Sequence, residues 1–238
     1  MRLQLFLVLL CACVTCPAFG QATYQLDFAA TWSAATHGTG YPASAHFSPL
    51  IGITHGHSVS FWESGGIASP GIEHMAETGS TSILRSEIVA ATGRNNFLST
   101  GTLFSPTATS FEFDIAASES LITLVTMVAP SPDWFVGVSG LDLRPGGSWL
   151  ASHVADLFVY DAGTDSGPDF RSQNADITPH QPIARLANHP VSHAGGGSGA
   201  PLALGTFTFT LLMVPEPSTV LLLLIGCNTA LLLRSSRR

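Results

Sequence analysis

Two acidic loops hold the residues best suited to chemistry. Asp133 closes the turn Pro130-Ser131-Pro132 and is followed by Trp134 and Phe135. Asp161 opens the run Asp-Ala-Gly-Thr-Asp-Ser-Gly, which places Asp165 four residues further on. Carboxylates on turn-rich backbone are the natural ligands of Ca²⁺, a hard cation that takes several oxygens from carboxylates, carbonyls and water. The Pro-Ser-Pro turn leaves carbonyls such as those of Pro130 and Ser131 free to point inward. The glycines after Asp161 let the backbone wrap closely around an ion. Asp165 fits as a further ligand or as a supporting partner. The other reading of such aspartates is that they cap turns through their own backbone.

Other constellations lead nowhere. His55-Gly56-His57 would put two imidazoles on one face of a strand, but no third ligand accompanies them, as a zinc or copper site requires. Glu73-His74 with Glu77 is not the HExxH helix of a metalloprotease. There is no GxSxG nucleophile elbow, and Gly195–Gly199 lacks the Gly-Lys-Ser/Thr of a phosphate cradle. Glu112 and Asp133 are carboxylates, yet nothing around them resembles a glycosidase pair. A nucleophile, base and oxyanion donor cannot be assembled, so a non-catalytic protein is expected.

Charge points the same way. The chain has no lysine, and between Gln21 and Met213 it carries five arginines against fifteen acidic residues, a formal charge of −10. Such a surface repels phosphate backbones and excludes nucleic acid as a partner. All four cysteines, Cys11, Cys13, Cys16 and Cys227, lie near the ends. The central domain has no disulfide to rely on and depends on burial, with a metal as a further support.

The elements that must position these residues read as β-strands. TYQLDFAATW, HGHSVSFWES, SFEFDIA, LITLVTMVA, DWFVGVSGLDL, ADLFVYDAG and GTFTFTLLMV are short β-rich stretches separated by Gly, Pro, Ser and Asp. About seven such strands predict an all-β antiparallel sandwich. SPGIEHMAETG and TSILRSEIVAATG carry helical spacing instead, each opened by Ser or Thr and closed by Gly, and predict two short inserted helices. The stretch from Asn188 to Pro201 has little to bury and reads as a flexible loop.

Both ends read as processing segments. Residues 1–20 combine Arg2, the apolar run LQLFLVLLCACV and small residues at Ala18 and Gly20, the order of a signal peptide. An uncleaved anchor is the other reading. At the far end, residues 214–238 contain Pro215-Glu216-Pro217, the sixteen-residue and mostly apolar stretch Ser218–Leu233, and Arg234, Arg237 and Arg238. The length suits a short transmembrane helix with a cytoplasmic basic end. This arrangement resembles the bacterial PEP-CTERM sorting signal. The resemblance implies an exosortase-type sorting enzyme as partner, and delivery to the cell surface, outer envelope or exopolysaccharide matrix. A plain membrane tail with a Pro-rich hinge is the alternative.

The central sequence is more particular. APSPDWFVGVSGLDL, GSWL and DLFVYDAGTDSGPDF resemble the spondin N-terminal domain of F-spondins and mindin. ATWSAATHGTGYPASAHFSPLIGITHGHSVSFW, GIEHMAETG and QPIARL are similar to that family in the same order, so that residues 23–213 are covered. The resemblance implies a C2-like sandwich, an extracellular adhesion or matrix role, and Ca²⁺ held by three carboxylates. These carry over to Asp114, Asp133 and Asp161, with Asp114 standing where the family usually has Glu. The implied partners are matrix proteins or surface glycans. A lectin-like module for exopolysaccharide is the second functional reading.

Overall fold

A computed structural model describes residues 20–214, apart from 95 and 198. The proposed signal peptide and the sorting segment with its Pro215-Glu216-Pro217 motif lie outside the described residues. Among the described residues no helix is long and apolar enough to cross a membrane.

Among the described residues, twelve strands and three α-helices follow one another along the chain. β1 (Gln21–Ala30) leads to the single turn α1 (Ala34–His37), then β2 (His46–Phe47) and β3 (Ile51–His55). Helices α2 (Pro70–Thr78) and α3 (Ser82–Thr92) come next, followed by β4 (Leu98–Ser99), β5 (Leu103–Phe104), β6 (Thr107–Ala116), β7 (Leu121–Ala129) and β8 (Trp134–Asp142). β9 (Ser152–Asp156), β10 (Tyr160–Asp161), β11 (Ala184–Arg185) and β12 (Gly205–Met213) complete the fold. One sheet has the order β6-β1-β12-β9, and the other runs β11-β10-β8-β7-β2-β5, with β3 and β4 also joined through β7. Every pairing is antiparallel. The all-β sandwich with two inserted helices is therefore the observed architecture.

Side-chain alternation explains the layers. On β1, Tyr24, Leu26 and Phe28 point inward, and Phe207 and Phe209 do so on β12, against Ile122, Leu124, Val128, Trp134 and Val136 of the second sheet. Alternate residues of that sheet, Val125, Met127 and Phe135, meet Ile72, Met75, Leu84 and Ile88 of the helices on its outer face. β7 is covered on both faces, so all nine of its residues are buried. This is why LITLVTMVA reads as an unbroken apolar run rather than an alternating one.

The helices begin and end as their punctuation requires. Ser69 caps α2 by accepting a hydrogen bond from Ile72 N, and Pro70 takes the first helical position. Glu87 of α3 adds a second anchor by accepting from Ser69 Oγ and from Gly71 N. Gly79 and Gly93 close the two helices at φ +71° and +68°, backbone that favours glycine. Thr81 precedes α3 without capping it and instead accepts from Arg85 Nε.

Three expectations change. HGHSVSFWES is not a strand: β3 ends at His55, and the chain then turns so that Trp62 enters the helix-side core. Only Tyr160 and Asp161 of ADLFVYDAG pair as β10, while Asp156 belongs to the preceding edge strand β9. The stretch after Asn188 is not bare loop, since Pro190–Ser192 and Ala194–Gly196 form 3₁₀ turns, and Val191, Ser192 and the intervening His193 are buried.

Candidate functional site

The site is built where β8 starts and β10 ends. Asp161 pairs with Trp134, so Asp133 lies one step beyond that pairing. Ser131 Oγ accepts from Trp134 N and fixes the turn that aims Asp133 inward. Asp133 is completely buried. Its Oδ2 accepts from Thr164 N at 2.9 Å, Asp165 N at 3.1 Å and Thr164 Oγ1 at 3.2 Å. Its Oδ1 is buried without a hydrogen-bond partner. A buried carboxylate that leaves one oxygen unsatisfied carries a large desolvation cost.

Asp161 and Asp165 shape the loop between them. Asp161 Oδ1 accepts from Gly163 N at 2.8 Å, a tight turn in which Gly163 sits at φ +75°. Asp165 has both oxygens engaged, Oδ1 with Gly167 N at 2.6 Å and Oδ2 with Ala175 N at 2.7 Å. Ser166 N bonds to Ala175 O and Ile177 N to Thr164 O, which closes residues 164–177 into a small ring. Asp165 thus braces the loop from within, whereas Asp133 and Asp161 each keep an oxygen free of these bonds.

The electrostatics are one-sided. Burial pushes the Asp133 carboxyl above its ordinary range, and the neighbouring Asp165 charge adds to the effect. Asp161 is pushed up to about 6, first by burial and then by the charges of Asp133 and Asp165. Glu77, in the last turn of α2, is raised as well, chiefly by burial and further by Glu73, Asp176 and Asp133. Among the described residues the ion pairs are Arg94 with Glu119 and His180 with Glu73. None of them neutralises Asp133, Asp161 or Glu77.

These residues are hard oxygen donors, with one departure from the expected set. Asp114 does not join Asp133 and Asp161. It lies on β6 of the other sheet, exposed, and accepts from Thr23 Oγ1 at 2.7 Å. The nineteen-residue step from Asp114 to Asp133 contains a turn and the whole of β7, whose nine residues span roughly 25–30 Å. The two carboxylates consequently sit at opposite ends of that strand. Among the described residues, no three His, Cys, Asp or Glu side chains converge on one point. The arrangement therefore offers carboxylates in pairs, to be completed by backbone or water oxygens.

The remaining candidates are accounted for. His55 is buried and committed to Thr123 Oγ1 at 2.8 Å and to Gly56 O at 3.0 Å, while His57 is exposed. Trp134 and Phe135 are both core residues on opposite faces of the sheet. Glu77 is a further carboxylate that sequence reasoning passed over, with its Oε1 buried and unpartnered. A signal was present, because a carboxylate in the last turn of a helix opposes the helix dipole and needs a reason to be there.

Beside Asp161 lies a cleft of about 560 Å³, walled also by Asp165, Gln181, Arg185, Asn188 and His189. The stretch that carries this site has relatives among known proteins. A family model described as Spondin_N matches residues 22–195. The chain belongs to the spondin N-terminal domain family. Spondin-1 of Rattus norvegicus is 36% identical over 189 residues, covering 74% of this chain and 23% of its own length. Spondin-2 of Homo sapiens is 35% identical over 188 residues, covering 75% of this chain and 56% of its own. The chain thus spans about a quarter of spondin-1 and a little over half of spondin-2. What it has in common with both is the spondin domain.

Proposed function

We propose that this spondin domain is a non-catalytic adhesion or extracellular-matrix module whose loop end is organised by Ca²⁺, with Asp133 and Asp161 as ligands. The observation that carries the reading is the buried, unpartnered Oδ1 of Asp133, set among further carboxylates that form no ion pair among the described residues. Bound there, the ion would supply the positive charge that the loops lack. Asp133 holds Thr164 and Asp165 by their backbone, and Asp161 holds Gly163. Kinship with spondin-1 and spondin-2 supports a location outside the cell. The N-terminal apolar segment and the Pro215-Glu216-Pro217 tail support export by a bacterium and handling by an exosortase-type enzyme. The apolar stretch after the motif would anchor the chain in the membrane until that step.

The test is a thermal melt of the full chain with saturating Ca²⁺ and with chelator. Calcium should raise the melting temperature, and Asp161→Asn should abolish most of that rise. Identical melts with and without Ca²⁺ would overturn the metal reading. Mass spectrometry of the C-terminus of the native protein checks the sorting proposal, which predicts a chain that ends near Pro217.

The cleft beside Asp161 favours a second reading, a module for surface glycans, because Gln181, Asn188 and Arg185 present amide and guanidinium groups next to the ion site. Calcium-dependent binding on a glycan array would support it, and uniformly blank arrays would refute it.

A further inference from the structure

β8 is paired along only part of one edge. On one side β7 follows it to Asp142, but on the other β10 meets it only at Trp134 and Phe135. Beyond that point no strand lies along this edge among the described residues. The pairing fixes which backbone groups are left over. Asp133 O accepts from Ala162 N at 3.1 Å, so residue 133 turns its backbone toward β10, and Phe135 does the same by alternation. At the far end, Gly140 N turns the other way and donates to Thr123 Oγ1 of β7 at 2.9 Å. Gly137 and Ser139 therefore present their N–H and C=O groups to the open edge. A cleft of about 620 Å³ lies there, its walls including Trp62, Glu63, Asp156 and Tyr160. Ser139 Oγ donates to Trp62 O, which seats residues 60–64 beside the edge. Trp62 is 6% exposed and its Nε1 has no hydrogen-bond partner, so the wall holds a spare donor as well. No lysine or arginine lines the cleft, and Glu63 and Asp156, both exposed, belong to none of the ion pairs among the described residues.

We infer that the open edge of β8 is a strand-addition site for an extended, basic segment of a partner protein. An unpaired strand edge is a template for another strand. Main-chain hydrogen bonds then give affinity, and the neighbouring side chains select the sequence. Charge selects the occupant here. A second copy would set two domains of five arginines and fifteen acidic residues against each other, which opposes self-pairing. A segment with Arg or Lys at alternate positions instead projects its charges to one side, where Glu63 and Asp156 can meet them. Gly137 and Ser139 supply the main-chain bonds, and Trp62 and Tyr160 the apolar wall. The inference goes beyond the adhesion reading by naming a surface and a class of partner, and it does not use the ion site.

The experiment titrates the full chain with a labelled octapeptide of alternating Thr and Arg, read by fluorescence anisotropy and by residue-resolved amide exchange. An alternating Thr-Glu octapeptide tests the charge. The Thr-Arg peptide N-methylated at every residue keeps its charge but donates no main-chain hydrogen bond. The Thr-Arg peptide should bind, and at saturation the amides of Gly137 and Ser139 should exchange about tenfold more slowly or better. The Gly140 amide, already engaged by Thr123, should not change. The Thr-Glu and N-methylated peptides should bind far more weakly. Glu63→Gln combined with Asp156→Asn should weaken Thr-Arg binding by about three- to tenfold. Glu112→Gln, on the far edge strand of the other sheet, should leave it unchanged. Both altered positions are exposed, so the double variant should melt as wild type does. No binding of the Thr-Arg peptide would overturn the inference. Binding without protection at Gly137 and Ser139, or equal binding of the N-methylated peptide, would reduce it to surface charge and also overturn it. A double variant that binds as wild type does would overturn the assignment of a basic partner. Run in chelator, the titration stands or falls apart from the metal reading.

Discussion

Replacing Asp133 separates its structural work from its charge. Asp133→Ala removes the acceptor of Thr164 N, Asp165 N and Thr164 Oγ1 at a site closed to water. A buried N–H left without a partner costs about 1–3 kcal/mol. Two such groups, less the relief of removing a buried and poorly compensated carboxylate, give a loss of about 2–4 kcal/mol in chelator. For a domain of this size, about 1 kcal/mol moves the melting temperature by about 2–4 °C, so a drop of about 5–15 °C is expected. Asp133→Asn keeps an acceptor oxygen for the same donors and should cost about 1 kcal/mol or less. Urea unfolding followed by tryptophan fluorescence measures both. An alanine variant within about 1 kcal/mol of wild type, or an asparagine variant as unstable as alanine, would refute the claim that this carboxylate holds the loop through its hydrogen bonds.

Three further outcomes are expected. The folded-state pKa of Asp161, about 6, lies above its unfolded value, so the folded domain binds the extra proton. Wild type should therefore gain stability over Asp161→Asn in chelator as pH falls from about 7 to 5, by about 1–2 kcal/mol once solvent screening is allowed for. The comparison cancels the opposite effect of His37, His55 and His189, whose pKa values burial lowers. Excess Ca²⁺ should abolish that gain, and differential scanning calorimetry giving a pH-independent difference in chelator would contradict it. Gly163→Ala would put a Cβ into the Gln181 carbonyl at φ +75° and disturb the turn that seats Asp161. It should cost about 2–4 kcal/mol and weaken Ca²⁺ binding, as read by urea unfolding and calorimetric titration. Tyr24→Phe removes a buried hydroxyl that donates to Leu150 O at 2.6 Å, and should cost about 1–1.5 kcal/mol in urea unfolding with no effect on Ca²⁺ affinity.

What could be read from the sequence follows from how local each signal is. β1, β6, β7, β8 and β12 are legible because strand length and β-rich composition coincide with burial on one or both faces. The two helices are legible because Ser69, Pro70, Gly79 and Gly93 mark their ends chemically. HGHSVSFWES misleads because its apolar residues answer a tertiary demand. Trp62 packs edge-on against Phe135 and Tyr160, and its carbonyl accepts from Ser139 Oγ, with no strand involved. β9 is hard to see because it is an edge strand with Val154 largely exposed. At the site, Asp133 and Asp161 are visible because each sits in a distinctive turn. Asp114 matches in spacing but lies on the other sheet, and the surroundings of Glu77 are set by residues more than fifty positions away, which no local pattern encodes.

The double coverage of β7 bears on how the domain can be handled. Its outer face is roofed by Ile72 and Met75 of α2, which lie on the same short helix as Glu77. A chain trimmed of the helical hairpin would bare a greasy stripe across β3, β7 and β8 and should aggregate rather than survive as a smaller sandwich. For the same reason the amides of β7 should be the last to exchange with deuterium. Because α2 packs on that strand, loosening of the helix should show first as faster exchange at the centre of the sheet.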